Sequence, residues 1–189
     1  LAIDESEFRD PTASFRSFND FFTRHLKPEA RPVERDPDVV VSPADGRVLV
    51  FPRLDGGEAV PVKGARYGID ELLGRPAPEF HGGALAIVRL CPADYHRFHF
   101  PADGTIEESR HLPGAYHSVN PIALRLGLRV FTENRRSYSI LRSPQFGRIA
   151  IIEVGAFGVG AIRWTWQGDT VRRMDERGYF TFGGSTQIL

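Results

Sequence analysis

The sequence contains little cysteine and little lysine, and it has no excess of charge of either sign. Its single cysteine, Cys91, excludes an internal disulfide framework and is compatible with a reducing compartment. Lys27 and Lys63 are the only lysines among 24 basic residues, and 24 acidic residues balance these to a formal net charge of zero. The overall charge therefore gives no support to nucleic-acid binding, and we expect no nucleic-acid partner.

Long hydrophobic runs are absent as well. No apolar run approaches the roughly 20 residues that cross a bilayer, and no signal peptide is visible. The sequence begins with Leu1 rather than methionine, and residues 186–189 read as the start of a strand, so we expect truncation at both ends. A length of 189 residues with 41% hydrophobic composition predicts a single domain over residues 1–189 with a substantial core.

One amphipathic helix is predicted near the start of the chain, over residues 14–26. Ser14 is a candidate N-cap, and Phe21 widens an apolar face whose other members recur three or four residues apart. Those members are Phe15, Phe18, Phe22 and Leu26. Packing on the core is the default for such a face, and the alternative is an aromatic helix lying at a membrane surface.

Residues 39–189 are predicted to form a β-rich core. Segments of Val, Ile, Phe, Tyr and Trp are separated there by Gly, Pro and Asp, which is the pattern of strands and turns. The predicted strands cover residues 39–41, 47–51, 59–63, 85–90, 104–111, 137–142, 148–154 and 158–166, with a short helix at most over 69–73. Long helices do not alternate with these strands, so the expected fold class is α+β with mostly antiparallel β-sheets.

Two segments between the predicted strands invite a functional interpretation. Residues 133–136, Glu-Asn-Arg-Arg, are favoured as a solvated hairpin turn, and the alternative is anion contact by the paired arginines. The glycine-rich residues 149–162 lack the lysine and the helix of a nucleotide-binding loop. They predict two buried strands joined by a tight bend.

A serine, a histidine and an aspartate can together activate a hydroxyl nucleophile, and the sequence offers all three residue types in distinctive settings. Ser185 follows two glycines, which leave the preceding carbonyl accessible. Asp45 lies in a Pro-Ala-Asp-Gly turn, where by itself an ordinary turn aspartate is the favoured interpretation. His96 and His99 lie three residues apart without a clear third metal ligand nearby, although His81, His111 and His117 are possible ones. Scattered histidines are usually polar surface residues, so we expect no metal site.

Taken together and in order, the motifs of this chain resemble those of phosphatidylserine decarboxylases. The matching pieces are Phe18-Asn19-Asp20-Phe21-Phe22 with Arg24, Ser42-Pro43-Ala44-Asp45-Gly46, Asp94-Tyr95-His96-Arg97-Phe98-His99 with Pro101 and Gly104, Ser118-Val119-Asn120-Pro121, Asn134-Arg135, Val154-Gly155-Ala156 with Val159-Gly160, and Phe182-Gly183-Gly184-Ser185-Thr186. The resemblance covers nearly the whole chain from about residue 15. Each piece is weak alone, whereas the ordered set is highly specific.

The resemblance implies a precursor that cuts itself between Gly184 and Ser185. Ser185 attacks the Gly184 carbonyl to form an ester, and elimination then leaves Gly184 as a new C-terminus and converts Ser185 into a pyruvoyl group. His99 is implied as the base for Ser185, and Asp45 as the carboxylate that orients this base. The pyruvoyl cofactor then serves as an electron sink for loss of CO2, and His96 is implied in decarboxylation or in reprotonation of the α-carbon.

The implied reaction converts phosphatidylserine into phosphatidylethanolamine and CO2. The partners that it implies are phosphatidylserine, a membrane surface and a second copy of the chain, at the cytoplasmic face of a bacterial membrane. One alternative is a related pyruvoyl-dependent decarboxylase of another serine lipid or of a free amino acid. The other is a non-catalytic barrel-like carrier or binding domain, which explains the turn at Asp45 but not the histidine pair or the Gly-Gly-Ser motif.

Overall fold

The structure is a computed structural model that describes residues 3–54, 60–62, 65–117, 129–156, 161–183 and 185–189. Within these residues the chain forms twelve strands and three short α-helices. The strands are β1 (Arg47–Phe51), β2 (Val60–Val62), β3 (Ala65–Tyr67), β4 (Leu85–Leu90), β5 (Arg97–His99), β6 (Gly104–Leu112), β7 (Arg136–Ser143), β8 (Gly147–Gly155), β9 (Ile162–Trp164), β10 (Thr170–Val171), β11 (Glu176–Phe180) and β12 (Ser185–Ile188). The helices are α1 (Phe18–Phe22), α2 (Ile69–Leu73) and α3 (Val130–Glu133), and 3-10 turns cover Glu5–Glu7, Thr12–Ser14, Pro28–Ala30 and Pro78–Phe80.

The expected α+β class with mostly antiparallel sheets is confirmed. Seven strands form one sheet in the order β1-β4-β12-β8-β7-β6-β10, and every pairing in it is antiparallel. Three more strands form a second antiparallel sheet in the order β5-β11-β9, and β2 pairs with β3. Strand β12, which begins at Ser185, lies between β4 and β8 and is therefore hydrogen-bonded along both of its edges.

One face of the seven-stranded sheet is apolar and is covered by α2 and α3. Tyr138, Ile152 and Ile188 on this face pack with Leu73 of α2 and Phe131 of α3 in one buried cluster. Burial of each large apolar side chain stabilises the fold by about 1.5–3 kcal/mol. This cluster therefore fixes the position of β12 from one side.

The opposite face carries polar side chains and is covered by the three-stranded sheet. Ser185 and Gln187 lie on this face because side chains alternate along a strand, and Gln187 is opposite Glu153 of β8. Glu153 forms a salt bridge of 2.8 Å with Arg177 of β11, and both side chains are fully buried. Apolar contacts between the two sheets come from Val88, Leu90, Phe98 and Phe180. Ser185 thus lies at the interface between the sheets.

Several strand predictions agree closely with the structure. The bounds of β1 and β4 match residue for residue, and those of β6, β7 and β8 differ by one residue at one or both ends. The strand predicted over residues 39–41 does not form, and the Val41 amide donates instead to the Pro101 carbonyl at 3.1 Å. Of the strand predicted over 158–166, the described residues 161–166 contain β9, and residues 157–160 of the predicted bend lie outside the described residues.

The helix predicted over residues 14–26 is much shorter in the structure. Ser17, rather than Ser14, is the N-cap of α1, because its hydroxyl accepts the Asp20 amide at 3.1 Å. The helix ends at Phe22, with Thr23 as its C-cap, which leaves little more than one turn. In the described part of the chain, no helix is long and apolar enough to cross a bilayer.

The prediction of a solvated turn at residues 133–136 is wrong. Glu133 ends α3, Arg136 begins β7, and Asn134 and Arg136 are both buried. The Arg136 guanidinium donates to the backbone carbonyls of Leu72 at 2.7 Å and Thr132 at 2.6 Å. Arg136 therefore ties two helices to the sheet, a structural use of arginine that the polar sequence did not reveal.

Candidate active site

Ser185 occupies the first position of β12 and is fully buried. It lies opposite Leu90 of β4 and Gly155 of β8, and its hydroxyl has no hydrogen-bond partner among the described residues. A buried polar group without a partner costs about 1–3 kcal/mol, so such a group calls for an explanation, and chemistry is one. Gly184, on the other side of the predicted cut, lies outside the described residues.

The segment that precedes β12 is held by helix α1. Gly183 has a φ of 150°. This backbone conformation favours glycine, because glycine has no side chain. The Phe182 amide donates to the Asn19 Oδ1 atom at 3.0 Å. The Phe182 ring makes edge contacts with the rings of Phe18 and Phe22, with centroid distances of 4.8 and 5.3 Å. Helix α1 therefore covers the chain that leads to the predicted cleavage point.

His96 is fully buried beneath the same helix. Its ring lies 3.8 Å from the Phe22 ring, centroid to centroid, and its Nδ1 lies 2.9 Å from the Asp94 carbonyl oxygen. A carbonyl oxygen only accepts, so Nδ1 carries the proton and Nε2 carries the lone pair. Nε2 has no partner in the described part of the structure. Because burial lowers the pKa of His96 to about 4, the ring is an uncharged base at neutral pH.

The Asp45 turn is shaped by its neighbours. Gly46 has a φ of 150°, and a Cβ atom there would lie 2.5 Å from the Arg89 carbonyl oxygen of β4. The Ser42 hydroxyl donates to the Ala44 carbonyl at 2.7 Å. The glycine of the Ser-Pro-Ala-Asp-Gly motif thus lets the turn lie against β4 and sets Asp45 just before β1.

Asp45 and His99 line one cavity of about 220 Å³. The His99 amide donates to the Pro43 carbonyl at 2.8 Å, which fixes the Asp45 turn beside β5. The His99 ring stacks on Tyr95, with 6.0 Å between centroids. Burial lowers the pKa of His99, and the negative charges of Glu176 and Asp45 oppose this effect. His99 is therefore also mainly neutral at neutral pH.

The Asp45 carboxylate is bonded to Arg31. The Arg31 Nε donates to Oδ1 at 2.9 Å and to Oδ2 at 3.1 Å, and Nη2 also donates to Oδ2. Arg31 forms a second salt bridge of 2.9 Å with Glu7. Hydrogen bonds to these two carboxylates raise the pKa of Arg31. The chain bends at Asp45 as expected. The Asp45 carboxylate, however, forms an ion pair with Arg31 instead of accepting hydrogen bonds from the backbone of its own turn.

The structure places the residues predicted from the sequence in two groups. Asp45 and His99 share a cavity, whereas Ser185 and His96 are both fully buried. Among the described residues, no hydrogen bond joins Ser185 to either histidine, and the implied contact stays a prediction. The same residues contain no cluster of three or more His, Cys, Asp or Glu side chains that could hold a metal.

Sequence reasoning assigned no role to three side chains that hold this site, namely Asn19, Arg31 and Asn134. The buried Asn134 amide donates to the carbonyls of Gly155 and His117, both at 2.8 Å, and thereby fixes the end of β8 beside β12. Asn19 and Asn134 belong to motifs that carry the resemblance, which was the available signal. Arg31 carries no such signal, because its partner lies 14 residues away in the sequence.

The chain is similar in sequence to known phosphatidylserine decarboxylases. The family model for phosphatidylserine decarboxylase matches residues 18–189. The chain is 47% identical over 190 residues to a phosphatidylserine decarboxylase proenzyme of Clostridium perfringens (strain ATCC 13124), and the match covers 99% of this chain. It is 46% identical to one from Clostridium botulinum (strain Kyoto), over 99% of this chain, and 43% identical to one from Fusobacterium nucleatum, over 100%. This chain spans 65% of the length of the first relative and 64% of the other two.

Proposed function

The chain belongs to the phosphatidylserine decarboxylase family, and from that premise we propose that it is a proenzyme that cuts itself before Ser185 and then decarboxylates phosphatidylserine. The observation that carries the proposal is the Ser185 hydroxyl, which is buried and lacks a partner among the described residues. This hydroxyl lies at the first position of a strand that is paired on both sides. The relatives are named proenzymes, which supports processing of the folded chain.

The proposed self-cleavage needs no reagent other than water. The Ser185 Oγ bonds to the Gly184 carbonyl carbon, the peptide C–N bond breaks, and the hydroxyl proton passes to the released amine, which leaves an ester. Loss of the Ser185 α-proton then breaks the Cβ–Oγ bond, releases the Gly184 carboxylate and leaves a dehydroalanine. Its imine form takes up water and loses ammonia, so that a pyruvoyl group remains at position 185.

The resemblance gives the base role in self-cleavage to His99, with Asp45 as its orienting carboxylate. Their shared cavity supports this pairing. Arg31 does not exclude it, because a carboxylate has about four lone-pair sites and can accept from a guanidinium and an imidazole together. Because burial lowers the pKa of His99, its lone pair is available at neutral pH.

The pyruvoyl cofactor would stand in place of residue 185, with its keto carbon at the former Ser185 Cα and its methyl group at the former Cβ. The Ser185 hydroxyl forms no hydrogen bond within the described residues, so its loss breaks no hydrogen bond there. The buried position is therefore compatible with a pyruvoyl group. The group supplies an electron-accepting carbonyl through which a substrate carboxylate can leave as CO2. The chain itself excludes water by burial and holds His96 with a lone pair on Nε2, where a proton can be passed.

We also infer that the substrate is reached from a membrane surface through Phe18 and Phe182. Phe18 is 58% exposed and Phe182 is 42% exposed, and their two rings are in contact. Phe22, which contacts both rings, packs on His96, so the exposed rings lie close to the proposed chemistry. Exposed aromatic rings suit the interfacial region of a bilayer. The resemblance further supports a homodimer at the cytoplasmic face of a bacterial membrane.

Substitution of the nucleophile tests the proposed function. Ser185→Ala in the full-length protein should abolish both self-cleavage and CO2 release, measured by intact mass and with phosphatidylserine labelled in its carboxyl group. Ser143→Ala is a matched control, because Ser143 is also buried and its hydroxyl also has no partner among the residues that the structure describes. This variant should be cut normally. CO2 release by Ser185→Ala would contradict the cofactor assignment.

Two other outcomes would favour the alternatives. Self-cleavage together with CO2 release from a free amino acid, but not from phosphatidylserine, would indicate a related decarboxylase with a different substrate. If the parent backbone stays intact and no pyruvoyl keto group forms at position 185, the chain would instead be a non-catalytic domain.

A further inference from the structure

On the basis of the proposed function, we propose that Asn19 of α1 is a positioning residue for self-cleavage, acting through the backbone of Phe182. The Phe182 amide donates to Asn19 Oδ1 at 3.0 Å, across a sequence separation of 163 residues. Phe182 lies just before the two glycines that lead to Ser185. The contact therefore connects α1, near the beginning of the chain, to the residues that directly precede the bond to be cut between Gly184 and Ser185.

The position of α1 is itself well defined. Phe22 is fully buried and stacks on the ring of His96. The carbonyl at the end of the helix, on Thr23, accepts a hydrogen bond of 2.9 Å from the largely buried Arg97 of β5. Because α1 is attached to the histidine-bearing segment, Asn19 holds Phe182 in a fixed relation to that segment.

The connection from β11 to β12 needs such a support. Strand β11 ends at Phe180 and β12 begins at Ser185. Two consecutive amides of this connection are anchored: the Thr181 amide donates to the Ala161 carbonyl at 3.0 Å, and the next amide donates to Asn19. An acyl shift requires the hydroxyl oxygen to be aligned with the carbonyl carbon, and a small misplacement lowers its rate strongly. Asn19 thus restrains the segment that must present the carbonyl.

Substitutions at Asn19 distinguish the effect of its acceptor oxygen from the effect of the size of its side chain. Asn19→Leu keeps a similar size without an acceptor and should slow self-cleavage about fivefold, the effect of losing one hydrogen bond. Asn19→Asp keeps an oxygen at the same place and should cut at nearly the parent rate. The measurement is the cut fraction over time, by mass, in full-length protein pulse-labelled during cell-free synthesis.

A cap variant of the same helix supplies the control. Ser17→Ala removes the hydroxyl that caps α1 and leaves the Asn19 side chain unchanged, so it should lower the melting temperature but not the self-cleavage rate of folded protein. Equal slowing by Ser17→Ala and Asn19→Leu would overturn the proposal in favour of helix stability. If Asn19→Leu fails to fold, Asn19→Ala makes the same comparison with a smaller side chain.

The outcomes also distinguish this inference from the proposed function on which it rests. A parent that cuts itself, together with an Asn19→Leu variant that cuts equally fast, would overturn the role of Asn19 alone. A parent that is never cut would overturn the proposed function.

Discussion

His96 and His99 are three residues apart in the sequence but lie in contrasting surroundings. His96 is sealed beneath Phe22, and its Nε2 has no partner among the described residues. His99 lines a cavity with Asp45, where two negative charges oppose the lowering of its pKa by burial. The comparison teaches that one short motif can place one neutral histidine in the protein interior and another in a cavity beside a carboxylate. These properties suit two separate chemical steps.

The largest expected effect is that substitutions of the two histidines block different steps, self-cleavage for His99 and CO2 release for His96. His99→Ala and Asp45→Ala should leave an uncut precursor, since general-base assistance contributes about 10²–10⁴-fold to rate. His96→Ala should be cut at least in part and should fail to release CO2. Intact mass and CO2 release together make the measurement. If His96→Ala blocks cleavage while His99→Ala cuts normally, the two roles are reversed.

The buried position of His96 should also appear in the pH dependence of stability. Because the folded pKa is lowered to about 4 and the unfolded pKa is about 6.5, the unfolded state binds the proton first. The contribution is therefore complete above pH 6.5, and it falls by about 3 kcal/mol as the pH drops to 4. Urea unfolding of uncut Ser185→Ala protein, with and without His96→Gln, measures this difference. Identical pH slopes would show that His96 is not desolvated.

In the surroundings of His99, Arg31 should affect the rate of self-cleavage by holding the Asp45 carboxylate in place. Arg31→Met removes three hydrogen bonds from the Asp45 carboxylate and should slow self-cleavage about tenfold, and Arg31→Lys should be intermediate. Arg9→Met is the matched control, because Arg9 forms an exposed ion pair with its neighbour Asp10. A normal rate in Arg31→Met would show that Asp45 is oriented without this arginine.

The smallest expected effect concerns the membrane. Phe18→Ser with Phe182→Ser, in uncut Ser185→Ala protein, should weaken sedimentation with phosphatidylserine liposomes about fivefold without changing the circular dichroism spectrum. Tyr116→Ser, which removes an exposed ring elsewhere, should bind as the parent does. Unchanged liposome binding in the double variant would place the membrane contact elsewhere.

Phe22 is unsuitable for such a test, because it is fully buried against His96. A serine at position 22 should destabilise the fold by about 3–5 kcal/mol, as expected for the loss of a core phenylalanine. Of the apolar face predicted from the sequence, one part packs inward through Phe22 and another is exposed at Phe18.

Sequence patterns predicted those strands whose own residues favour β-structure. β1 and β4 are runs of Val, Leu and Ile, and their bounds were predicted correctly. β5 and β11 were missed, because they contain charged residues or glycine and form by pairing with each other. The predicted helix was too long because Phe15, outside α1, packs edge-on against Phe21 at 5.6 Å. The aromatic spacing reflects a cluster of rings rather than one helical stripe.

The candidate site was predicted through the order of its motifs rather than through local periodicity. The ordered motifs drew attention to Asp45, His99 and Ser185, whereas the Arg31 ion pair and the burial of His96 depend on contacts distant in sequence. Such contacts leave no local pattern in the residues that make them. The ordered motifs therefore predicted candidate reacting groups, whereas the sequence contained no comparable sign of the side chains that support them.

The pairing of β12 with both of its neighbours has a consequence for the products of the proposed cut. The piece that starts at residue 185 would remain threaded through the middle of a sheet, bonded to Ile87–Leu90 on one side and to Ile152–Gly155 on the other. Scission would then resemble fragment complementation, in which two polypeptides share one fold. The severed pieces should elute together in native chromatography and separate only when the sheet is denatured, so one covalent bond can be lost without loss of architecture.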